Sequence, residues 1–282
     1  MPQPDLPPFY VITVNYHNAS HLPGLIASLS RLPLIQKLII VNHSPEENLG
    51  GLKAPFPVRV INQDNAGYGA GLNRGLREIG GTNAVALLCN PDVALLTPEK
   101  VAGALAFMGA HPGVGCLIPR SVDENGQVIP TCRTFYSWKT LLASRIGIFR
   151  RAFAGLYHQH LFLEAGASRP VEVDWGCGAA MFYRVAAFGG RPPFDEDFFL
   201  YLEDVDFCAR LWHAGLSVVY YPDLLYRHQW QGQSRSRWRF LRYHLVSLGK
   251  FIRKYRGLPQ RGDLIREDSG VSDPRAVAGR DG

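Results

Sequence analysis

The feature that most constrains the fold is the alternation of apolar, β-branched runs with helix-like stretches over the first 120 residues. Helical patterns occupy about 20–32 and 69–80, and a further helix is expected from Pro98 onward, with Thr97 as its N-cap. The predicted buried strands are FYVITVNY (9–16), KLIIVN (37–42), VRVIN (58–62), AVALLCN (84–90) and VGCLIP (114–119). This order predicts an α/β fold with a mostly parallel central sheet flanked by helices.

The second half of the chain carries weaker patterns. Residues 135–153 are predicted to be helical, and short strands are predicted at 181–184 and 217–222. A helix from Asp204 to Ala214 is expected to end at Gly215, the residue type that most often follows a helix C-terminus. The last 26 residues, from position 257, are polar and rich in Gly and Pro, which predicts disorder.

The composition is that of a globular protein with a proper core, since 46% of the 282 residues are hydrophobic and 19% are charged. No apolar run approaches the length of a membrane span. The N-terminal stretch MPQPDLPPF lacks the basic and apolar regions of a signal peptide. The five cysteines form no CxxC pair, which favours free thiols over zinc ligands. We therefore expect a cytoplasmic protein.

The net charge of +6 comes from one segment, because residues 235–256 contain eight Lys or Arg and no acid. Apolar residues recur there at three- and four-residue steps, which predicts a helix with one apolar face. That face consists of Trp238, Leu241, Leu245, Leu248, Ile252 and Tyr255. It either packs on the rest of the protein or contacts an anionic membrane surface. Nucleic acid is a disfavoured partner, because no aromatic platform or recognition module accompanies the charge.

Acidic residues are concentrated in the segment FDEDFFLYLEDVDF (194–207), which holds six of the 24 acids and no Lys or Arg. Crowding and aromatic surroundings raise carboxyl pKa values, whereas a helix N-terminus favours the ionised form. Asp204, at the predicted helix start, experiences both effects, as a general base near neutral pH requires. Glu203 and Asp206 are also explained as first-turn acids of a helix. We predict Asp204 as the base, with Glu203 as the next candidate.

Polar residues follow three strands of the first half. Asn15 and Tyr16 follow the first strand, Asn42 ends the second, and Asp92 comes directly after the fourth. Because ligands of open α/β sheets bind beyond the carboxyl ends of the strands, a shared polar pocket is expected there. Asp92 could bind a hard divalent cation, with His228 as a candidate second ligand.

A glycine-rich stretch, NQDNAGYGAGLNRG (62–75), opens the second predicted helix. It is a weak dinucleotide fingerprint, because that motif belongs directly after the first strand. A helix N-terminus at this position would nevertheless suit a diphosphate.

Together these stretches resemble family-2 glycosyltransferases of the GT-A fold, most closely their rhamnosyltransferase-like branch. The motifs that carry the resemblance, in order, are VITVNYHN, NQDNAGYGAGLNRG, CNPDV, VDWGCGAAMFYR, FDEDFFLYLEDVDFCARLWHAG and LYRHQWQGQS. The resemblance implies one domain, 1–256, followed by the tail. Within it, 9–120 would bind the nucleotide sugar, 121–234 would bind the acceptor and catalyse, and 235–256 would form the basic helix.

The resemblance implies a hexosyltransferase that inverts the anomeric centre in a single displacement. A sugar, with rhamnose as a candidate, would pass from a nucleotide diphosphate sugar, most simply a dTDP- or UDP-sugar, to a hydroxyl of a saccharide or lipid-linked acceptor. Such chemistry serves the assembly of cell-surface polysaccharide or glycolipid. It would take place in the cytoplasm, at the inner face of the cell membrane.

The resemblance also implies roles for individual residues. Asp92 and His228 would hold Mg²⁺ or Mn²⁺ against the diphosphate, and Asp204 would deprotonate the acceptor. Trp175 and Gly178 would line the sugar and acceptor side. The nucleotide-sugar side would consist of Asn15, Tyr16, Asn42, Asn65, Gly67, Asn73 and Asp92.

Two positions depart from the family pattern. Asn90 stands where many members have the first Asp of an Asp-x-Asp motif, so the metal site has one charge fewer. Asn42 stands where the second strand usually ends in an Asp that holds the nucleotide. These departures motivate an alternative, a catalytically weak sugar-nucleotide-binding protein, which assays with a panel of sugar nucleotides would distinguish from an enzyme.

Overall fold

The computed structural model describes residues 6–32, 34–81, 83–161, 167–228 and 238–265, without the side chains of Arg145 and Arg239. The strands are β1 (Phe9–Asn15), β2 (Ile35–Asn42), β3 (Val58–Asn62), β4 (Val85–Cys89), β5 (Val93–Leu95), β6 (Val114–Val122), β7 (Val128–Ile129), β8 (Cys132–Arg133), β9 (Val171–Glu172), β10 (Trp175–Gly176), β11 (Ala180–Arg184) and β12 (Ser217–His228). The helices are α1 (Leu22–Leu29), α2 (Tyr68–Leu76), α3 (Val101–Ala110), α4 (Trp138–Arg145), α5 (Gly147–Ala152), α6 (Ala154–His160), α7 (Glu203–His213), α8 (Trp238–Tyr255) and α9 (Arg261–Leu264).

Among the described residues, ten strands form one sheet whose main path runs β3-β2-β1-β4-β11-β6-β12-β5. The first four strands are parallel to one another. Strand β11 lies antiparallel between β4 and β6, and β12 runs parallel to β6. Strands β8 and β10 form a separate antiparallel pair. The predicted α/β sheet is confirmed, and its parallel part coincides with the half where strands and helices alternate.

The central strands are buried on both sides because helices cover both faces of the sheet. Successive side chains of a strand point to opposite faces. Ile12 of β1 therefore packs in one cluster with Leu72 of α2. Its neighbour Val11 packs in the other cluster, with Leu25 of α1 and Leu105 of α3. The continuous apolar runs of the sequence correspond to this two-sided burial.

Thr97 occupies the predicted N-cap position, before the 3-10 turn Pro98–Lys100 that leads into α3, but its side chain makes no capping bond. Its hydroxyl donates to the carbonyl oxygen of Asp223 and accepts from the backbone N–H of Leu225, at 3.2 and 2.8 Å. The neighbouring strand β12 thus takes the hydroxyl that a helix N-terminus would otherwise use, a long-range contact invisible in local sequence.

The predicted helix over 135–153 is divided. A capping box between Ser137 and Thr140 starts α4, and α5 begins at Gly147 after an extended Ile146. Glycine lowers helix propensity, and the sheet does not bury this region enough to hold a continuous helix across it.

Residues 257–265, predicted to be disordered, are ordered, whereas 266–282 lie outside the described residues. Leu264 of α9 is buried. Arg261 contacts Asp174, with 2.6 Å between Nη2 and Oδ1, and its guanidinium lies 4.4 Å from the ring centre of Trp212. A few apolar residues and one cation therefore dock this short segment, too few to be recognised in a polar sequence.

The basic helix α8 is confirmed as a helix, but only part of its predicted apolar face packs. Leu248 and Tyr255 pack against the core, whereas Trp238 is 87% and Leu245 60% exposed. Phe251 and Ser247, which lie outside the predicted face, are buried. The hydroxyl of Ser247 donates to the carbonyl oxygen of Leu200, at 2.8 Å. The helix is rotated so that its lysines meet the acidic segment. In the described parts of the chain, no helix has the length and apolarity that crossing a bilayer requires.

Candidate active site

The carboxyl ends of β1, β2 and β3 form a row of three asparagines. The parallel register aligns Asn15 with Asn42, and Asn42 with Asn62. Asn15 Nδ2 donates to Asn42 Oδ1 at 2.9 Å, and Asn42 Nδ2 donates to Asn62 Oδ1 at 2.9 Å. Asn15 and Asn42 are buried. The structure thus brings two of the expected residues together, although much of their hydrogen-bonding capacity is used within the row.

Glu47 adds a carboxylate that sequence reasoning missed. Its Oε2 accepts from Asn15 Nδ2 at 2.7 Å, and its carbonyl oxygen lies 3.4 Å from Asn42 Nδ2. A negative charge therefore stands beside the strand end whose expected Asp is replaced by Asn42. The available signal was the acidic pair in SPEEN, which follows β2 directly.

Tyr16 lies just beyond this row and is 40% exposed. Its ring contacts that of His17, whose backbone is left-handed, with 4.4 Å between the ring centres. An exposed aromatic ring at the end of β1 offers a surface on which a planar base could stack.

The turn between β3 and α2 contacts the acidic segment. Asn65 Oδ1 accepts from the N–H of Gly67 at 3.0 Å, and Gly67 has a φ of 106°. A Cβ on Gly67 would lie 2.6 Å from the carbonyl oxygen of Phe199, so only glycine fits. Tyr68, which the sequence did not single out, donates from its N–H to Phe199 and from its hydroxyl to the carbonyl of Gly178, at 3.1 and 3.3 Å.

Asn73 contacts the acidic segment, in contrast to the predicted nucleotide contact. Its Nδ2 donates to the carbonyl of Phe194 at 2.9 Å and to Glu196 Oε1 at 3.0 Å. Its Oδ1 accepts from the N–H of Phe194 at 3.1 Å. The Asn73 side chain is buried, and both of its amide hydrogen bonds are made to the acidic segment. Asn73 therefore attaches this segment to α2.

Asp92 and His228 are brought together by the register of two strands. Strand β12 pairs antiparallel with β5, and His228 lies opposite Val93, directly after Asp92. His228 Nε2 lies 3.2 Å from Asp92 Oδ1 and 3.2 Å from Asn90 Nδ2. Both strands are short or irregular at this point, so the pairing could not be derived from sequence spacing alone.

Asp92 and His228 fit one divalent cation whose other ligands are not His, Cys, Asp or Glu side chains of the described chain. In the described chain, no group of three His, Cys, Asp or Glu side chains is placed to hold a metal. Asp92 and His228 offer an oxygen and a nitrogen, a combination that Mn²⁺ and similar ions accept. Diphosphate oxygens and water commonly complete such a shell at nucleotide sites.

The acid pair Glu203–Asp204 opens α7 after a strained turn. Tyr201 and Leu202 both have left-handed backbones, with φ of 67° and 64°. Such conformations are costly for side chains of this kind and are concentrated at functional sites. They turn the chain so that Asp204 Oδ2 accepts from the N–H of Gly178 at 3.1 Å. Gly178 and Asp204, widely separated in sequence, are thereby in direct contact, as expected for two parts of one site.

The two carboxyls differ in their electrostatic surroundings. Burial, followed by the nearby charge of Asp204, raises the pKa of Glu203 to about 8. Glu203 Oε2 has no hydrogen-bond partner among the described residues. Burial also raises the pKa of Asp204, but backbone N–H groups of Gly178 and Val205 oppose this shift by stabilising the carboxylate. Glu203, with a pKa of about 8, is therefore largely protonated at neutral pH, whereas the backbone N–H groups favour the carboxylate form of Asp204.

Arg133 is a second residue that the sequence did not indicate. Its guanidinium lies 5.7 Å from the ring centre of Trp175, and its positive charge opposes the rise that burial causes in the pKa of Asp204. Its Nη1 is buried and has no hydrogen-bond partner in the described part of the chain. Arg133 is thus a cation beside the acid pair with a donor unused. No motif marked it, because it reaches the site through the short pairing of β8 with β10.

Trp175 lies on the predicted sugar and acceptor side of the site, and the residues on this side are called the acceptor-side wall. It is 6% exposed, and its Nε1 donates to the carbonyl oxygen of Thr134 at 2.9 Å. Its ring packs against Tyr136, with 5.6 Å between centres. Its indole N–H is therefore engaged within the protein, and the ring gives shape to the wall.

The remaining acids of the acidic segment have partners elsewhere. Lys254 of α8 bridges Asp195 Oδ2 and Asp206 Oδ1, at 2.6 and 2.7 Å, and Tyr255 donates its hydroxyl to Asp206 at 2.9 Å. Lys250 donates to the backbone carbonyl of Asp197. Burial opposes ionisation of Asp195, but Lys254 outweighs it and lowers the pKa. The positive charges of α8 thus compensate much of the negative charge of the acidic segment.

Comparison with known proteins identifies the kind of enzyme. No protein-family model matches the chain. The chain is 31% identical over 228 residues to the N-acetylglucosaminyl-diphospho-decaprenol L-rhamnosyltransferase of Mycobacterium tuberculosis, covering 75% of this chain and 73% of the relative. It is 34% identical over 90 residues to rhamnosyltransferase WbbL of Escherichia coli, covering 32% and 34% of the two chains.

Solved structures share the fold. GalNAc-T7, with UDP, GalNAc and Mn²⁺, superposes with a TM-score of 0.56 at 13% identity, over 80% of this chain and 44% of that protein. The mannosyltransferase PcManGT from Pyrobaculum calidifontis, with GDP-Man and Mn²⁺, superposes with a TM-score of 0.54 at 14% identity, over 89% and 66%. At these identities the likeness concerns the fold alone, and it confirms the predicted GT-A architecture. The identity with the mycobacterial enzyme shows in addition that the chain belongs to the rhamnosyltransferase-like family of glycosyltransferases.

Proposed function

We propose that the protein is an inverting, family-2 glycosyltransferase that moves rhamnose from a nucleotide diphosphate sugar to a hydroxyl of a lipid-linked saccharide. The observation that carries the proposal is the pair Glu203–Asp204, in which the backbone N–H of Gly178 donates to Asp204 and favours its carboxylate form. The mycobacterial relative, named for transfer of L-rhamnose to a diphospho-decaprenol saccharide, supports the choice of sugar and acceptor.

In the proposed reaction Asp204 acts as the general base. The acceptor hydroxyl transfers its proton to a carboxylate oxygen of Asp204 as its own oxygen attacks the anomeric carbon. The bond between that carbon and the diphosphate oxygen breaks, and the electron pair leaves with the nucleoside diphosphate. A single displacement of this kind inverts the anomeric configuration. A carboxylate with a raised pKa is better matched to a hydroxyl proton than an ordinary one.

Asp92 and His228 are proposed to hold Mg²⁺ or Mn²⁺, which would neutralise charge on the leaving diphosphate. Asn90 lies within hydrogen-bonding distance of His228 and orients its ring. Since the chain offers one carboxylate here, we expect the cation to bind tightly only together with the diphosphate. The Mn²⁺ in the two solved relatives supports a divalent ion without choosing between the two.

The donor nucleotide is proposed to lie at the ends of β1 and β2. Tyr16 would stack on the base, and the row of Asn15 and Asn42 with Glu47 would meet its polar edge. Asn65 and Gly67 would shape the turn that faces the diphosphate. A dTDP- or UDP-sugar is the expected donor, with GDP-sugars as the comparison.

The test is a transfer assay that combines dTDP-rhamnose, UDP-sugars and GDP-sugars with an N-acetylglucosaminyl-diphospho-prenol acceptor. We expect a disaccharide product only with the correct donor, with an anomeric configuration opposite to that of the donor by NMR. Retained configuration would contradict the mechanism. Donor binding without transfer or hydrolysis would favour the alternative of a catalytically weak sugar-nucleotide-binding protein.

Helix α8 is proposed to contact the anionic inner face of the cell membrane. Its exposed Trp238, Leu241 and Leu245 support this proposal. Lys250 and Lys254 bind acids of the protein itself, so fewer cations remain for lipid than the sequence count implies. We therefore expect salt-sensitive binding to anionic liposomes and little binding to neutral ones. Equal binding to both lipid types would contradict an electrostatic contact.

A further inference from the structure

A second apolar surface, formed by α4, α5 and α6, stands outside the site. Its exposed large side chains are Trp138 (57%), Leu142 (41%), Ile146 (44%), Ile148 (74%) and Leu156 (42%). From residue 144 to 159, none of the described side chains is buried. Packing against the described protein therefore does not account for the apolar character of these helices. Patches of this kind mark interaction surfaces.

The charge on this surface has one sign. Residues 138–161 contain no Asp or Glu, and Lys139, Arg150 and Arg151 are exposed among the apolar residues. Lys139 Nζ lies 6.0 Å from the ring centre of Phe153, and the Arg150 guanidinium lies 5.3 Å from that of Tyr157. Long cationic side chains that run along aromatic rings and end in solvent suit the boundary between lipid headgroups and acyl chains.

The surface is attached directly to the acceptor-side wall. The carbonyl oxygen of His160, at the end of α6, accepts from the N–H of Thr134 at 3.0 Å. The carbonyl of Thr134 in turn accepts from the indole of Trp175. Tyr136 packs between the rings of His160 and Trp175, at 4.9 and 5.6 Å. One layer of residues therefore separates the α4–α6 surface from the proposed acceptor wall.

We propose that α4–α6 is a membrane-docking surface for an anionic bilayer. Trp138, Ile146 and Ile148 enter the headgroup region, and the exposed cations bind lipid phosphates. Its use rests on the proposed function, because a lipid-linked acceptor must leave the site toward the bilayer on the acceptor side. A bilayer fits better than a protein partner, because the apolar residues are interspersed with cations alone. This surface is separate from α8, so the two contacts can be tested independently.

The experiment measures sedimentation of the full-length protein with phosphatidylglycerol–phosphatidylcholine vesicles and with pure phosphatidylcholine vesicles. Ile148→Asp should weaken binding to the anionic vesicles about tenfold or more, because it removes apolar burial and adds a repelled charge. Leu96→Asp, a change of the same chemistry at a less exposed apolar site outside α4–α6, should alter it less than about twofold. Ile148 and Leu96 are both exposed, at 74% and 36%, so circular dichroism should show both variants folded.

Equal binding by wild type and Ile148→Asp, or no binding by wild type, would overturn the proposal. Light scattering on the same samples tests whether a second copy of the chain covers this surface instead of a bilayer. A dimer that Ile148→Asp dissociates would also overturn the proposal. Transfer to a short, water-soluble acceptor should be unchanged in Ile148→Asp. If transfer fails in wild type while vesicle binding depends on Ile148, the proposed function fails and the docking surface stands.

Discussion

Two groups of acids within one short segment have opposite surroundings. Asp195 and Asp206 are bridged by Lys254, which belongs to α8 and is distant from both in sequence. Glu203 and Asp204 lie between them in sequence, and neither forms an ion pair with any described Lys or Arg. The comparison teaches that crowded acids do not by themselves mark a catalytic site. What distinguishes the site is that no described Lys or Arg bridges the pair at ion-pair distance, together with burial that keeps the pair's pKa values high.

A large effect is expected at Asp92, another acid that forms no ion pair with Lys or Arg in the described residues and lies instead beside His228. Removing divalent cations with EDTA should abolish transfer, and Mn²⁺ or Mg²⁺ should restore it. Asp92→Ala should lower kcat/KM by roughly two to three orders of magnitude, as expected for lost stabilisation of a leaving group. His228→Ala should cost less, because a nitrogen ligand contributes less to holding a hard cation. Full activity in EDTA would refute the metal site.

Removing Lys254 should lower the free energy of unfolding more than it lowers the catalytic rate. Lys254→Met leaves Asp206 buried without its ion pair, at a cost of about 2 kcal/mol in the free energy of unfolding. Urea titration measures this loss. The double variant Lys254→Met, Asp206→Asn is the matched control and should recover much of it, since it removes the stranded charge. If Lys254→Met unfolds at the wild-type urea concentration, the two groups of acids do not differ as described.

The titration of Glu203 should be visible in the pH dependence of the free energy of unfolding. Its pKa in the folded protein, about 8, lies above the ordinary value of 4.5. A raised carboxyl pKa means that the folded state binds the proton more tightly than the unfolded state. Its stabilising contribution is full below pH 4.5 and is lost as the pH rises toward 8.

Glu203→Gln should therefore be more stable than wild type at pH 8 by on the order of a few kcal/mol, with the advantage shrinking toward pH 5. Urea titrations at the two pH values make the comparison. A constant difference between them would show that Glu203 does not titrate in this range.

The smallest expected effect is that of Arg133. Because its charge lowers the pKa of Asp204, Arg133→Met should move the acid limb of the kcat/KM profile to higher pH, by less than about one unit. Arg133→Lys should leave the limb nearly in place. A fall in kcat/KM without any shift would assign Arg133 to substrate binding alone.

The donor half of the fold could largely be predicted from sequence, because its features are local or follow from regular register. Once β1, β2 and β3 are parallel neighbours, Asn15 and Asn42 must meet at their carboxyl ends. The acceptor half depends on contacts between distant residues. Neither Arg133 nor Lys254 belongs to a recognisable motif, and their roles depend on which faces of short elements pack together. The apolar periodicity of α8 predicted only part of its packed face for this reason, because Lys250 and Lys254 bind the acidic segment, a contact that apolar periodicity does not represent.

The central claim is that Asp204, and not Glu203, takes the acceptor proton. The most direct measurement is kcat for Asp204→Asn and Glu203→Gln beside wild type near pH 7, with donor binding checked by titration. Asp204→Asn should bind donor normally and lose roughly two to four orders of magnitude in kcat, the usual contribution of a positioned base. Glu203→Gln mimics the protonated acid and should stay within about tenfold of wild type. Near-wild-type turnover in Asp204→Asn, or a larger loss in Glu203→Gln, would contradict the account.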